Sequence, residues 1–365
     1  MDFLLFLIII VFLVAIQMAT PFLVKRNIVF GVFIPDEYDR DAKLISYKKI
    51  YAWLILIFGL IGVAIYLVLV PNGDSVHSNL LLLPLVIQFS LIFVSIALYF
   101  YFHAKTIQCK KQMGWGENLK QLKVTDLSVR SKDEMLPWYL YLLPMVVTIG
   151  IIGYSILKYR LLPEQIPTHW GPNGKPDAFT GKNPFSAISL PLIMLTMQVM
   201  FLSINEMTKR SGIKLSATRT EASRIRQLTL RKYSSWFMFL TNILITLLFS
   251  FLQLQMIHPN LADGTLLMAI PLIFVFVILI SSVLFALKVG TAGEKTDIKS
   301  GDGISDFDED RYWKGGLIYF NKNDPSIFIE KRFGIGWTLN FANPIGYIIL
   351  FGPLAIILFI SFSVS

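Results

Sequence analysis

Three of the four histidines fall in short polar loops between long apolar runs: His77 in PNGDSVHSN, His169 in PTHWGPNG and His258 in IHPNLADGT. Carboxylates stand close to each in sequence, namely Asp74, Glu164, Asp177 and Asp263. A neutral imidazole is a zinc or copper ligand, and its ordinary pKa of about 6.5 also makes it a proton switch. If the three loops converge, His77, His169 and His258 form a metal site or a pH-sensitive cluster. If they do not, each is an unrelated loop residue, and spacing alone gives no argument for convergence.

Other catalytic chemistry has no motif to stand on. There is no HExxH, no Walker-type phosphate loop and no serine or cysteine arrangement of a known nucleophile. The expectation is a non-enzymatic protein without a cofactor. The richest polar stretch is LLPEQIPTHWGPNGKPDAFTGKNP, which begins at Leu161. Gly171, Pro172, Asn173 and Gly174 form a tight-turn sequence, and Pro163, Pro167, Pro176 and Pro184 stiffen the flanks, so this loop is read as ordered.

The elements that must carry these loops are membrane helices. The chain has 365 residues, 55% hydrophobic and only 16% charged, with mean hydropathy +0.61. A span needs roughly 20 apolar residues at about 1.5 Å each. Segments of that kind run from Phe3 to Val24, Tyr51 to Val70, Leu80 to Phe102, Trp138 to Leu157, Phe185 to Asn205, Trp236 to Met256, Leu266 to Leu287 and Pro344 to Phe362. Lys and Arg alternate between the connecting loops. The first, third, fifth and seventh are basic, with Lys25, Arg26, Lys110, Arg226 and Arg231 among their residues. The second and sixth have no positive charge, and the fourth has little. By the positive-inside rule the odd loops are cytoplasmic, and both termini and the 159–184 loop lie outside. The net charge of +9 is then topological, with membrane lipids as its nearest partner and no direct nucleic-acid contact implied. The lone cysteine, Cys109, forms no disulfide within the chain.

The expected fold is an all-α polytopic membrane protein of about eight transmembrane helices. A small cytoplasmic β-hairpin-like element precedes the last helix, with GLIYFN and SIFIEK as its two strands and RFGIGWTLNF as a third strand or interfacial segment. Four regions follow: 1–135, a three-helix membrane region; 136–290, a membrane region with the ordered outside loop; 291–343, an acidic linker with the hairpin element; and 344–365, the final helix.

The run LPEQIPTHWGPNGKPDAFTGK resembles the hallmark of the SdpI family of bacterial multi-spanning proteins, through Pro163, Ile166, Pro167, His169, Gly174, Asp177 and Lys182. That resemblance implies a cell-membrane protein giving immunity to a secreted peptide toxin, or signalling by holding a transcriptional regulator at the inner face. It implies Glu164, Ile166, Pro167, His169, Gly174 and Asp177 as the recognition element. The seventh loop, DRYWKGGLIYFNKNDPSIFIEKRFGIGWTLNFANP, is similar to a domain of unknown function found in Gram-positive membrane proteins. The SdpI-type immunity protein lacks this segment.

Two competing functions remain open. One is a transporter or channel for a neutral or hydrophobic solute, lined by Gln88, Gln198 and Asn242; the other is an accessory subunit of a larger membrane complex. Because the spans hold almost no ionisable groups, Gln17, Gln88, Gln198, Asn242, Gln253 and Gln255 are read first as interhelical hydrogen-bonding groups. Glu206 is expected to pair at the rim with Lys209 or Arg210. The basic fifth loop is read as a helix along the inner leaflet, with partner docking as the alternative, and the acidic stretch from Asp297 to Asp310 as a solvated linker.

Overall fold

The computed structural model describes residues 2–69, 82–116, 119–124, 127–170, 176–293, 296 and 304–364. Within them are eight helices long and apolar enough to cross a membrane. They are α1 (Asp2–Leu23), α2 (Ala42–Leu69), α3 (Leu83–Gln112), α4 (Leu142–Leu157, extended backwards by a 3-10 turn from Trp138), α5 (Ser189–Arg210), α6 (Thr220–Ile257), α7 (Gly264–Gly290) and α8 (Pro344–Val364). Each coincides with an expected apolar run. Their outward faces keep large apolar side chains exposed, as Val68, Phe93, Leu157 and Phe362 do, which suits lipid and not water.

The helix ends follow local chemistry. Pro84 occupies the first turn of α3, where no amide donor is required. Asp263 caps α7 by accepting the Leu266 amide at 2.9 Å. Lys110 and Lys111 close α3, and Lys209 and Arg210 close α5, complementing the negative ends of those helix dipoles.

Helices α1, α2 and α3 pack on one another, α4, α5 and α6 form a second group, and α1 against α7 joins the two. Helix α8 lies along α5. Ten short strands decorate the ends. Near the end of α1, β1 (Ile28–Val29) pairs with β2 (Val32–Phe33). Strand β3 (Lys120–Leu122) runs parallel to β6 (Ile304–Asp306). Between α4 and α5, β4 (Gln165–Trp170) and β5 (Pro176–Gly181) form an antiparallel hairpin. Before α8 come β7 (Trp313–Lys314) with β8 (Ile318–Tyr319), and β9 (Phe328–Glu330) with β10 (Trp337–Leu339).

Those last pairs put the small strand element where it was expected, but with different partners. GLIYFN and SIFIEK do not pair with each other. Side chains hold the segment between them instead: Asn340 Nδ2 donates to the Asn321 and Asp324 carbonyls at 2.9 Å, and the Asn321 amide donates to Asn340 Oδ1. RFGIGWTLNF supplies the partner strand of SIFIEK.

The strand element is wedged between the helix groups. Gly31, at φ +78°, meets Gly316, at φ +72°, so closely that a Cβ on Gly31 would sit 2.7 Å from the Gly316 Cα. Only glycine fits both demands. Tyr99 Oη donates to the Gly315 carbonyl at 2.9 Å, and Phe333 packs on Phe30, Tyr51 and Tyr99. The bundle therefore has a hairpin end, carrying β4–β5, and a charged end, where α1 stops and α8 starts.

Candidate functional site

The β4–β5 hairpin stands on a small apolar base. Ile166 is 2% exposed and belongs to a cluster with Leu162, Ala187, Met256 and Ile257. Lys182 ties the hairpin's foot down: its Nζ donates to the Leu162 carbonyl at 2.8 Å and to Glu164 Oε1 at 3.2 Å, and it lies over the Tyr159 ring. Irregular register at Pro167, His169 and Trp170 turns the strand, as a bulge does. His169 Nδ1 and Asp177 Oδ1 then meet at 2.5 Å on the open face. Both are exposed, as are Glu164 and Phe179. Pro167 sits opposite Phe179 in the register. Gly174 lies outside the described residues.

The histidines expected to share a site take separate partners. His169 pairs with Asp177, while His258 Nε2 lies 2.7 Å from the Tyr154 hydroxyl. His77 lies outside the described residues. Among the described residues no group of three or more His, Cys, Asp or Glu is arranged to hold a metal ion.

From His258 a buried polar seam runs along α6 between α4 and α5. Gln253 donates to Ser155 Oγ and the Ala187 carbonyl at 3.0 and 2.9 Å. Further along, Gln198 donates to Thr148 and Thr246 at 2.6 and 2.8 Å. Ser235 donates to Asn205 Oδ1 at 2.7 Å. These groups act as interhelical bonds, as read from the sequence for Gln198 and Gln253. Asn242 differs: it is fully buried, and neither Nδ2 nor Oδ1 has a hydrogen-bond partner. Gln255 bonds locally to the Pro259 carbonyl. Glu206 buries Oε1 without a hydrogen bond and makes no rim pair with Lys209 or Arg210.

At the charged end, sequence reasoning missed a dense assembly. The first sixteen residues of α6 continue the membrane helix straight on and do not lie flat along a leaflet. Their arginines turn inward. Arg231, fully buried, donates to Asp133 Oδ2 and to the Lys209 carbonyl, both at 2.7 Å. Arg226 Nε donates to Glu330 at 3.0 Å, and its terminal nitrogens reach the Gly290 and Leu23 carbonyls at the C-terminal ends of α7 and α1. Lys25, at 2.7 Å, and Gln227 share the same Glu330 carboxylate. Burial opposes its charge, but Lys25 and Arg226 outweigh it and hold the Glu330 pKa below the ordinary glutamate value.

The acidic stretch is likewise a partner set and not a solvated linker over its described part. Asp306 accepts from Asn27, Ser216 and the Ala217 amide. Asp308 and Asp310 hold Lys110, Asp310 also pairs with Arg332, and Glu309 meets Lys214 at 3.0 Å. Lys214 reaches Asp324 and the Tyr319 hydroxyl as well. Burial works against its ammonium, yet Glu309, Tyr319 and Asp324 together raise its pKa. The sequence signal that was available is the facing of an acidic run by basic loops, which fixes sign but not partner.

Residues 146–195, which hold the hairpin and much of α4, match a domain of unknown function, DUF1648. Residues 322–347, which hold β9 and β10, match a family of unknown function, DUF5808. No curated protein and no solved structure matches the chain. The chain is a multi-pass membrane protein.

Proposed function

We propose that the protein is a non-enzymatic membrane sensor or immunity protein. In this reading the β4–β5 hairpin faces outside and engages a peptide toxin or envelope signal. The charged end faces the cytoplasm and engages an intracellular regulator, and both termini lie outside. One observation carries it: α6 is a single 38-residue helix in contact with both places. Its last turns, Met256 and Ile257, pack beneath Ile166, and its first half carries Arg226, Gln227 and Arg231. At about 1.5 Å per residue it is about 57 Å long, against a hydrocarbon core of about 30 Å. A displacement of the hairpin base therefore has a rigid path to the charged assembly. The resemblance to the SdpI family falls on the same hairpin, and the basic loops support the orientation.

The test is a photocrosslinker at Phe179 in intact cells, with and without the His169→Ala, Asp177→Ala pair, followed by recovery of the protein and its adducts. An outside peptide captured by the parent and lost in the variant, together with altered transcription on exposure, supports sensing or immunity. An empty capture with unchanged toxin sensitivity and transcription overturns it.

A second reading, transport of a small neutral solute, draws on the unpartnered amide of Asn242. Solute flux in reconstituted vesicles that Asn242→Leu abolishes would favour it.

A further inference from the structure

The β4–β5 hairpin is a two-stranded sheet, so each strand has one side with no partner strand among the described residues. Such a side presents backbone N–H and C=O groups with which another chain can pair. The two sides are not alike. On β4, Pro167 has no amide to donate and the register breaks between Pro167 and Trp170, and both features keep a strand from adding a neighbour. On β5, from Asp177 to Gly181, there is no proline and no basic side chain to guard the strand in the same way.

The alternation of the ladder fixes which groups face out. The Lys182 amide donates to the Glu164 carbonyl at 2.9 Å, so that pair is hydrogen-bonded. Along β5, Thr180 and Ala178 then turn their backbone groups toward β4, while Gly181, Phe179 and Asp177 turn theirs away. Pro167, opposite Phe179, agrees with this, because a non-bonded pair asks no amide of it. The Gly181 carbonyl is taken by Ser186 Oγ at 3.0 Å. Neither Asp177 nor Phe179 makes a backbone bond to another element among the described residues. Space lies beside them: Ala178, between the two, is exposed, and a Cβ on Gly181 would meet nothing within 4 Å.

The side chains of this stretch give the chemistry of an occupant. Phe179 is 52% exposed and stands opposite Pro167 on the face turned away from Ile166, which makes an apolar spot. Asp177, two residues away and so on the same face, has the His169 imidazole as its only side-chain partner among the described residues. Lys182, the next basic residue along the chain, is turned to the foot of the hairpin by the Leu162 carbonyl and Glu164. A strand added beside β5 therefore meets a carboxylate and no cation.

We propose that the open side of β5 takes an extended peptide as a third, antiparallel strand. Its backbone pairs with Phe179 and Asp177, with an apolar side chain beside Phe179 and, two residues on, a basic one beside Asp177. This rests on the reading of the hairpin as the peptide-recognition element and names the form and chemistry of the peptide.

The test is amide hydrogen exchange, resolved to single residues, on the full chain in phosphatidylcholine nanodiscs. The probe is the synthetic peptide acetyl-Thr-Val-Thr-Lys-Thr-amide. Without it, the Asp177 and Phe179 amides should exchange fast and those of Ala178 and Thr180 slowly. At a tenfold excess over Kd the probe should slow Asp177 and Phe179 about tenfold. The same peptide N-methylated at its valine and lysine lacks the donors that face β5 and should protect neither. A glutamate in place of its lysine should weaken binding several-fold, and Asp177→Asn should shrink that difference. Unchanged exchange on adding the probe, or equal protection by the methylated peptide, overturns the proposal, and both comparisons use the parent protein. Slow exchange at Asp177 and Phe179 before any peptide is added, lost at one chain per disc, assigns the side to a second copy and also overturns it. The outcome is separable from the cell assay. Protection here with empty capture and unchanged transcription there removes the sensing reading and leaves strand addition standing, whereas capture there without protection here does the reverse.

Discussion

Glu330→Gln removes one buried charge and almost no volume. In the native protein the carboxylate takes Lys25 at 2.7 Å, Arg226 at 3.0 Å and Gln227. The substitution leaves Arg226, 10% exposed, with a neutral amide oxygen in place of the carboxylate beside the Leu23 and Gly290 carbonyls, while Lys25, 32% exposed, can turn to water. Removing one partner of a buried pair costs about 3–5 kcal/mol. The acceptors kept by Arg226 and the water open to Lys25 set the expected loss at about 2–4 kcal/mol. Its pH dependence is the sharper check. Because the folded Glu330 pKa is depressed, its charge contributes stability above the unfolded value of about 4.3, and that contribution disappears as pH falls through the folded value. The assay is denaturant unfolding in mild detergent across pH, parent and variant side by side, so that carboxylates common to both cancel. The gap should be full at pH about 7 and close below pH about 4. A gap under about 1 kcal/mol at neutral pH, or one unchanged down to the acid limit, refutes the assignment.

Ile166→Ala should cost about 2–4 kcal/mol locally and appear as faster protease nicking of the hairpin, with the helical signal intact; unchanged nicking would mean that the apolar base does not hold it. Asn242→Leu should leave unfolding stability unchanged or raise it by about 1–3 kcal/mol, because it deletes a buried amide with no partner, whereas Gln198→Leu should lower it by about 1–2 kcal/mol by removing the amide that donates to Thr148 and Thr246, whose hydroxyls keep only the Pro144 and Asn242 carbonyls. A loss from Asn242→Leu would show that its amide is engaged. Gly290→Ala places a Cβ 2.6 Å from Leu23 Cδ2 and should destabilise the α1–α7 contact by about 1–3 kcal/mol, with partial recovery in the Leu23→Ala double variant.

The helices were legible because apolar run length is a property of consecutive residues, and the sign of each loop is too. That the loop between α4 and α5 is ordered was legible for the same reason, since its flanking prolines act locally; GPNG itself lies outside the described residues. Contacts across the fold were not. Arg226 and Glu330 are 104 residues apart, and Arg332 bonds the Gly31 carbonyl across 301. A run such as RIRQLTLRK satisfies phospholipid headgroups or protein carboxylates equally well, so its composition could not tell an inner-leaflet helix from the inward-facing half of α6. The pairing of SIFIEK with RFGIGWTLNF turned on Asn340 and Asn321 side chains filling a turn, which alternation of apolar residues does not encode.

Buried ion pairs are weak contributors to stability, since apolar packing of the same volume does as well. Their density at the charged end is better explained by alignment. Arg226 touches the ends of α1 and α7 and the β9 strand at once, and Arg231 does the same for Asp133 and the end of α5. A shift of α6 by one turn, about 5.4 Å, would break all of these together. Within the membrane the same shift breaks the Gln253 and Ser235 bonds as well, but Gln198 has replacements for Thr246, because Asn242, Thr246 and Ser250 stand at one-turn spacing along α6 and Asn242 and Ser250 have side-chain atoms that make no bond now. If α6 carries a signal, the barrier to its movement lies more in the charged Arg226–Glu330 contact than in the neutral bonds of the seam. Glu330→Gln should then increase the response to an outside stimulus even as it lowers stability, and a response that falls in step with stability would argue that α6 is only a scaffold.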